Sequence, residues 1–369
     1  MGCKDSTMGT DMRDCILVTG GAGFIGSSLS QKICSLGLEV VAVDSFLKQV
    51  HPSGKISEFL DERVVLIKKD VRNPDTWTTF LNKFNPVKIV HLAAETGTAQ
   101  SLTEATRHAT VNVVGTTQML DALARAAIRP QRIVLASSRA VYGEGMWRDQ
   151  STGHTFYPKP RTHEMLSRGQ WAPRGQDGSV AIPVPHEAST VMPNPTSVYG
   201  ATKLAQENIL TSWCAGFDIP LSILRLQNVY GEGQSPFNSY TGIINVFHRL
   251  AKAGTAIPVY EDGMIGRDFI HVDDVTRIMA NILADAGHKN HKFDIGTGKE
   301  ITILKAANII ARLHDAPDPI ICGKFRDGDV RCAVASVKAM QEATGLVASV
   351  PFEQGAKRVG AWLATRGHI

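Results

Sequence analysis

The sequence lacks any stretch of about twenty consecutive apolar residues, the length that a membrane-spanning helix needs. It also lacks an apolar run of the secretory type after its start. Its 39 lysines and arginines and 35 aspartates and glutamates leave a formal charge of only +4, spread along the chain, without the basic patch typical of nucleic-acid binding. We therefore expect a cytoplasmic protein with no membrane or nucleic-acid partner, in which any anion is bound locally, as a phosphate in a pocket.

Cysteine pairs are also missing. The 6 cysteines form no CxxC pair and no spacing typical of a zinc site. This pattern predicts reduced thiols and no metal centre. At 369 residues the chain is long enough for a large core divided between two domains.

The start of the chain, MGCKDS, matches the template for N-myristoylation, with Gly2 and Ser6 in place and Cys3 as a second acyl site. The alternative is a chance match at the start of a flexible tail over residues 1–13. The motif is short and acts only where a myristoyltransferase is present, so we favour the tail.

Short apolar strands alternate with helical patterns through the first half of the chain. CILVTG at 15–20 precedes a helical pattern that ends near Gly37, and EVVAVD follows at 39–44. Further strands are predicted at 64–71, 87–94, 131–138 and 220–231, with long helices at about 102–127 and 197–215. This alternation predicts an α/β fold with a doubly wound parallel sheet of the Rossmann type.

The alternation stops between Gly145 and His186. This stretch contains five prolines and two tryptophans, Trp147 and Trp171, which indicates a long ordered insertion loop. Two interpretations stay open, a surface excursion and an active-site lid. The chain after residue 231 mixes short strands with helices and predicts a smaller α/β domain.

A glycine-rich turn, TGGAGFIG, lies between the first strand and its helix. Gly20 permits a tight turn, Gly23 lets the backbone approach a pyrophosphate, and Gly26 allows close helix packing. The next strand ends at Asp44, whose carboxylate accepts hydrogen bonds from ribose hydroxyls and repels a 2′-phosphate. The pattern predicts NAD rather than NADP as cofactor, with Asp70 and Val71 at the adenine pocket.

The helix after the insertion begins with SVYGATK, which places Tyr199 and Lys203 on one helical face. An ammonium about 4 Å from a phenol, at an effective dielectric constant near 20, contributes about 4 kcal/mol and lowers the phenol pKa by about three units. Tyr199 is therefore predicted to be a base near neutral pH, activated by Lys203.

Together these motifs resemble the extended short-chain dehydrogenase/reductase superfamily, and within it the NAD-dependent nucleotide-sugar epimerases and dehydratases. The matching segments are TGGAGFIG, Asp44, HLAAET, SSRAVYG, PTSVYGATK, LRLQNVYG, RDFIHVDDV and FRDGDVR. They cover the chain from about residue 14 to 340.

The resemblance implies roles for matching positions. Ser138, Tyr199 and Lys203 form a catalytic triad in which Tyr199 takes the proton of a sugar hydroxyl, Ser138 bridges by a hydrogen bond and Lys203 holds the nicotinamide ribose. The implied cofactor-binding residues are Gly20, Gly23, Phe24, Ile25, Gly26, Asp44, Asp70, Val71, Leu92, Ala93, Ala94 and Lys203. The implied substrate-binding residues are Thr96, Ser138, Arg139, Asn228, Arg267 and Arg326, the last two as diphosphate ligands.

The same resemblance implies the domain boundaries. Residues 14–230, with about 269–287 and including the insertion at 145–186, are assigned to the NAD-binding domain. Residues 231–268 and 288–369 are assigned to a partly interleaved nucleotide-sugar-binding domain. By analogy with the superfamily, we expect a homodimer formed through the helices at about 102–127 and 197–215.

Arg139 and Ala140 bear on the reaction. In the dehydratases of the superfamily an Asp-Glu pair follows the active-site hydroxyl and supplies the acid and base that expel water. Alanine has no titratable proton and arginine stays charged at working pH, so dehydration is disfavoured. The reactions left are epimerisation through a transient 4-keto sugar and reduction of a ketone, and Asp44 favours the first because net reductases commonly draw on NADPH.

A finer resemblance comes from AAETGTAQS, SSRAVYGEG and the long insertion. These segments are similar to those of 4-epimerases that interconvert dTDP-L-rhamnose and dTDP-6-deoxy-L-talose. Two alternatives stay open, an NAD(P)H-dependent 4-keto-sugar reductase and a protein that binds NAD without turnover. The role of Arg139 and the identity of the base and sugar also stay open.

Overall fold

The computed structural model describes residues 12–52, 54–175, 177–236 and 242–366. The strands, in chain order, are β1 Arg13–Thr19, β2 Glu39–Asp44, β3 Val65–Lys68, β4 Phe84–His91, β5 Arg132–Ser138, β6 Trp147–Asp149, β7 Thr155–Phe156, β8 Ala181–Pro183, β9 Leu221–Leu226, β10 Asn228–Tyr230, β11 Pro258–Val259, β12 Gly266–Arg267, β13 Phe269–His271, β14 His291–Ile295, β15 Ile301–Thr302, β16 Ile320–Ile321 and β17 Cys332–Ala333. The α-helices are α1 Phe24–Ile33, α2 Pro74–Leu81, α3 Gln100–Thr103, α4 Ala105–Ala109, α5 Gly115–Arg125, α6 His163–Ser167, α7 Val198–Gly216, α8 Ile243–Lys252, α9 Val272–Ala284, α10 Ile303–Leu313, α11 Lys338–Thr344 and α12 Phe352–Thr365.

A seven-stranded parallel sheet, in the order β14-β9-β5-β4-β1-β2-β3, forms the centre of the larger unit. Side chains of β1 alternate between its two faces, as the period of a strand requires. Cys15 and Leu17 pack on the side of α2, α5 and α7, whereas Ile16 and Val18 pack on the side of α1, α9 and α11. Both faces are covered by helices, which confirms the predicted doubly wound fold.

The seventh strand comes from a part of the chain that the sequence analysis assigned to the smaller domain. β14, within residues 288–369, pairs with β9 in parallel register, Ile295 opposite Leu226. Only five residues form this strand, and its outer end carries His291 and Lys292, so its local pattern does not reveal its place in the sheet. The division of the chain into two domains stays a prediction, and the large sheet extends to residue 295.

The long helix predicted at about 102–127 is interrupted in the structure. Glu104, with φ −123° and ψ 41°, separates α3 from α4, and a π turn at Thr110–Val114 separates α4 from α5. Single π turns occur frequently at functional sites because they redirect one side chain. Here the turn directs Asn112 into the interior, where it is fully buried.

A second core lies in the C-terminal part of the chain. Phe247 of α8, Ile310 of α10 and Val359 of α12 belong to one buried cluster, beside short sheets formed by β12, β15 and β17 and by β11 and β16. This arrangement agrees with the prediction of a smaller α/β unit.

The insertion at 145–186 has more regular structure than the predicted loop. Its strands form an antiparallel sheet in the order β7-β6-β8, and α6 follows β7. Trp147 packs with Ala181 and with Cys332 of β17. The insertion therefore lies against the smaller unit through an apolar contact.

Residues 1–11 of the predicted tail, and with them the MGCKDS motif, lie outside the described residues. Arg13, the last residue assigned to the tail, opens β1 and pairs with Phe84 of β4. Among the described residues no helix has the length and apolar character needed to cross a membrane.

Candidate active site

A cavity of about 750 Å³ follows the carboxyl ends of the sheet strands and continues into the smaller unit. Its lining includes every site residue that the sequence predicts, namely Gly20, Gly23, Phe24, Ile25, Gly26, Asp44, Asp70, Val71, Leu92, Ala93, Ala94, Thr96, Ser138, Arg139, Tyr199, Lys203, Asn228, Arg267 and Arg326. Ligands of open α/β sheets bind at this edge, beyond the carboxyl ends of the strands.

The glycine-rich turn occupies one end of the cavity. Gly20 has φ +68°, which favours glycine, and an added Cβ atom there would lie 2.9 Å from the backbone nitrogen of Ala93. An added Cβ at Gly26 would lie 2.6 Å from the carbonyl oxygen of Gly20. The turn therefore brings β1, the residues after β4 and the N-terminus of α1 closer together than side chains would permit.

Asp44 is held at the end of β2 by two backbone donors. Ala22 N–H donates to its Oδ2 at 3.0 Å, and Phe46 N–H donates to its Oδ1 at 2.9 Å. The His51 imidazole lies 3.8 Å from Oδ1, and burial lowers the pKa of His51 below its usual range. A neutral His51 leaves the negative charge of Asp44 uncompensated, as a site that repels a 2′-phosphate requires.

Asp70 forms an ion pair with Arg72, with 2.6 Å between Oδ2 and Nη2. The hydrogen bonds of Arg72 lower the pKa of Asp70 although its burial acts in the opposite direction and is the largest single contribution. Val71 is buried beside it. The structure therefore places an ion pair and an apolar side chain at the expected adenine end.

Ser138 and Tyr199 meet between β5 and α7. Ser197 caps α7 by accepting a hydrogen bond from Gly200 N–H at 3.1 Å, and Gly200 packs directly against the backbone of Ala140. Burial raises the pKa of Tyr199, whereas its hydrogen bond with Ser138 and the charge of Arg139 act to lower it. We predicted that the charge of Lys203 lowers the pKa of Tyr199, whereas in the structure the charge that lowers it is that of Arg139.

Lys203 forms a hydrogen bond within its own helix. Its side chain is almost fully buried, and Nζ donates to Gln206 Oε1 at 2.6 Å. Burial lowers the pKa of Lys203 to about 7, against the opposing effect of Glu207. At neutral pH the amine is therefore only partly charged.

Arg139, unexplained by the sequence, lies inside the cavity. Its Nε donates to Asn228 Oδ1 at 2.8 Å, which fixes the side chain between β5 and β10. Burial, followed by the charge of Arg267, lowers its pKa to about 10, so it is charged at neutral pH. Among the described residues its terminal nitrogens have no hydrogen-bond partner, which leaves them available to a ligand.

Arg267 and Arg326 differ in how much of each guanidinium is available. Arg267 Nη2 donates to Asp329 Oδ1 at 2.6 Å and to Val330 O at 2.9 Å, and its Nη1 donates to Gly266 O at 2.8 Å. Arg326 stacks over the Tyr260 ring at 5.4 Å. We expected both arginines to bind a diphosphate directly, and the terminal nitrogens of Arg267 are instead bonded to protein oxygens.

The chain matches the model of the NAD dependent epimerase/dehydratase family over residues 16–296. The chain belongs to this family. It is 45% identical over 349 residues to a dTDP-L-rhamnose 4-epimerase of Burkholderia thailandensis, covering 95% of this chain and 94% of that protein. A UDP-glucose 4-epimerase of Mycolicibacterium smegmatis is 30% identical over 92% of this chain and 95% of its own length. The crystal structure of a Thermotoga maritima UDP-glucose 4-epimerase with UDP-glucose superimposes with a TM-score of 0.76 at 26% identity, covering 95% of this chain and 99% of that one.

The family's cofactor is NAD, and the residues of this chain fit it. The backbone nitrogens at the start of α1 form the kind of site that binds a pyrophosphate. Asp44 supplies an acceptor for ribose hydroxyls, and Gly20 and Gly26 keep side chains out of the turn. The prediction of NAD as cofactor is confirmed at the level of the family.

The family includes both epimerases and dehydratases, and the acidic residues that line this cavity bear on which of the two reactions it favours. Ala140 is buried in the turn after Ser138 and offers no proton. Of the described acids that line the cavity, four form ion pairs, namely Asp70 with Arg72, Glu95 with Arg107, Glu261 with Arg161 and Asp329 with Arg267. The fifth, Asp44, lies at the cofactor end. No described carboxyl group at the sugar end is therefore available for the proton transfers of dehydration.

Sequence reasoning missed two residues that organise this family site. Asn112 donates to the carbonyl of Glu95 at 3.1 Å and accepts from its N–H at 2.8 Å, which fixes the segment that carries Thr96. Asp329 balances part of the arginine charge. Asp329 stands in the FRDGDVR motif and could have been found there, whereas the inward direction of Asn112 depends on a π turn that no local pattern indicates.

A buried charge network supports the catalytic strand from behind. Arg225 binds Glu207 through two hydrogen bonds of 2.9 and 2.7 Å, and Ser137 Oγ donates to Glu207 Oε1 at 2.5 Å. Glu207 lies one turn after Lys203 on α7, so the network links α7 to β5 and β9. These contacts fix the relative positions of Ser138 and Tyr199.

Proposed function

We propose that this protein is an NAD-dependent nucleotide-sugar 4-epimerase that interconverts dTDP-L-rhamnose and dTDP-6-deoxy-L-talose through a transient 4-keto sugar. The observation that carries the proposal is that Ser138, Tyr199 and Lys203 share one cavity with an arginine cluster, and that no described lining residue at the sugar end is an unpaired acid. The 45% identity to a dTDP-L-rhamnose 4-epimerase supports the choice of sugar and base.

The charges of the cavity match a nucleotide diphosphate. Arg139, Arg267 and Arg326 oppose one carboxylate, Asp329, which leaves two positive charges. A diphosphate diester carries two negative charges at neutral pH. Among the described residues the guanidinium N–H groups of Arg326 have no hydrogen-bond partner, so they can make a bidentate phosphate contact. Arg267 stabilises the site through Asp329.

The reaction starts with transfer of the C4 hydroxyl proton to the phenolate of Tyr199, with Ser138 bridging the two oxygens. NAD held by the glycine turn and Asp44 would supply the acceptor for the C4 hydride and the donor for its return. Arg139 stabilises the phenolate by its charge and offers its terminal N–H groups to the sugar or the phosphates. After the keto sugar has rotated, its opposite face meets the cofactor, and this change of face inverts C4. Tyr199 then returns its proton to the C4 oxygen, which restores the phenolate.

The direct test has two stages. Denatured protein should release NAD, and native protein should then interconvert C4 epimers in a panel of dTDP-, UDP- and GDP-sugars, followed by NMR. No cofactor should be consumed. Net oxidation of NADH or NADPH would instead indicate a 4-keto-sugar reductase, and bound NAD without conversion of any sugar would indicate a binding protein.

We also propose a homodimer in a reducing compartment. The described cysteines are free, and α5 and α7 lie side by side on one face of the large unit, with the apolar side chain of Val114 42% exposed beside them. Light scattering coupled to gel filtration tests the mass. A monomer at micromolar concentration would contradict this part of the proposal.

A further inference from the structure

The insertion is bound to residues 325–334, the segment that carries Arg326 and Asp329 of the cavity lining. His163 of α6 lies 3.1 Å from the Asp327 carboxylate, and the Trp171 and Phe325 rings are 6.2 Å apart. At the end of the insertion, His186 N–H donates to Val334 O at 2.7 Å. The insertion therefore contacts both ends of residues 325–334.

Arg161 lies at the centre of this contact, with a side chain only 2% exposed. Its Nε donates to Glu144 Oε1 at 2.9 Å, and its Nη1 donates to Glu261 Oε2 at 2.8 Å. Its Nη2 donates to the carbonyl oxygen of Asp329 at 2.8 Å. One guanidinium thus connects three separate parts of the chain in fixed directions.

Two of these three partners line the cavity, whereas Arg161 does not. Glu261 and Asp329 belong to the lining, beside Tyr260 and Arg326. The network is closed by Arg331, whose N–H donates to Glu144 Oε2 at 2.9 Å and whose guanidinium contacts Glu261 at 3.1 Å. The position of the segment that carries Arg326 therefore depends on a residue of the insertion that does not line the cavity.

We propose that Arg161 is a positioning residue through which the insertion fixes the diphosphate-binding half of the cavity and so sets the affinity for the nucleoside diphosphate. This inference rests on the diphosphate binding included in the proposed function, and it does not depend on which sugar reacts. Proton transfer from the C4 hydroxyl takes place at Ser138 and Tyr199, which lie on other elements and are not bonded to Arg161.

The Arg161→Lys variant tests this inference because lysine keeps the charge but has a single nitrogen, which cannot reach all three partners. We expect the Kd of NAD-loaded enzyme for dTDP to rise about tenfold, the change that corresponds to one lost charged hydrogen bond. KM should rise in parallel, while kcat and bound NAD stay near their wild-type values. Calorimetry measures the Kd.

Two further variants complete the experiment. Glu144→Gln removes one acceptor with little change of volume and should raise the Kd in the same direction, which keeps the inference testable if Arg161→Lys does not fold. Arg168→Lys is the matched control, since Arg168 lies on the same insertion in an exposed pair with Glu164. Its Kd should equal that of the wild type.

Unchanged Kd values in folded Arg161→Lys or Glu144→Gln protein would overturn the inference. A parallel fall in kcat, bound NAD and melting temperature without a selective change in Kd would overturn it as well, because that pattern indicates a general structural role. Wild-type protein that binds neither dTDP nor UDP refutes the proposed function and this inference together. A selective change in Kd in an enzyme that epimerises no sugar refutes the reaction alone.

Discussion

Removing the charge of Arg139 should move the pH dependence of turnover to higher pH. Burial holds the pKa of Tyr199 above its usual value, and the hydrogen bond with Ser138 and the charge of Arg139 oppose this effect. Removing a nearby opposite charge raises the pKa of a phenol, so the phenolate forms at higher pH. Below the phenol pKa, each unit corresponds to about a tenfold change in the phenolate fraction, and kcat at neutral pH should fall by that factor.

The variant Arg139→Gln separates the effect of the charge from the effect of the hydrogen bond with Asn228. A glutamine amide still donates to Asn228 Oδ1, which Arg139 Nε contacts at 2.8 Å, whereas its charge is zero. Arg139→Lys is the matched control because it keeps the charge and should restore most of the wild-type profile. Both variants are measured at saturating sugar nucleotide, since Arg139 also has donors free for the substrate.

The measurement is kcat from neutral to alkaline pH, with the rate of C4 inversion as the readout. The rising limb of Arg139→Gln should lie at higher pH than that of the wild type, and both enzymes should approach the same plateau. Superimposable profiles would refute the reasoning, because they would show that the charge of Arg139 does not act on the phenol. A lower plateau at every pH would place Arg139 in substrate contact instead.

Two further predictions concern the cofactor turn and the buried support of the site. Gly26→Ala should lose bound NAD, since the added Cβ would meet the backbone of the turn. Gly216→Ala, with open space around it, should keep NAD. The amount of nucleotide released on denaturation measures bound NAD in both variants. Glu207→Gln should destabilise the fold by about 3–5 kcal/mol, because it leaves the buried charge of Arg225 without its partner. Thermal unfolding measures this loss. The control is Glu342→Gln, which lies in an exposed pair and should leave the melting temperature unchanged. Equal melting temperatures for the two variants would contradict the second prediction.

The features that the sequence predicts well are those encoded within a few neighbouring residues. The glycine turn requires glycines because Gly20 has a positive φ and Gly26 packs on backbone, and both constraints are local. The pairing of Tyr199 with Ser138 follows from a motif in each of two elements. The same holds for the alternation of β1, which identifies a strand buried on both faces.

The features that the sequence did not predict depend on contacts between distant segments. The addition of β14 to the sheet requires pairing with β9 across about 70 residues of chain, and its pattern is too short to indicate that partner. The burial of Lys203, which lowers its pKa, depends on what packs around α7. The predicted activation of Tyr199 requires a fully charged Lys203 amine in a partly solvated setting. Burial instead leaves the amine only partly charged at neutral pH.

The distribution of charge in the cavity explains how one site holds a sugar nucleotide firmly and still lets the sugar turn. The net positive charge of the cavity lies on Arg139 and Arg326, because Arg267 is paired with Asp329, and Arg326 belongs to the segment that Arg161 fixes, so we expect the strong contacts at the diphosphate. The sugar end offers Ser138, Tyr199 and the terminal nitrogens of Arg139, which are hydrogen-bonding groups suited to the oxygen atoms of a sugar. Because a 4-keto sugar presents either face to the same base only if its other contacts are weak, an epimerase gains from the absence of the acid pair that a dehydratase needs.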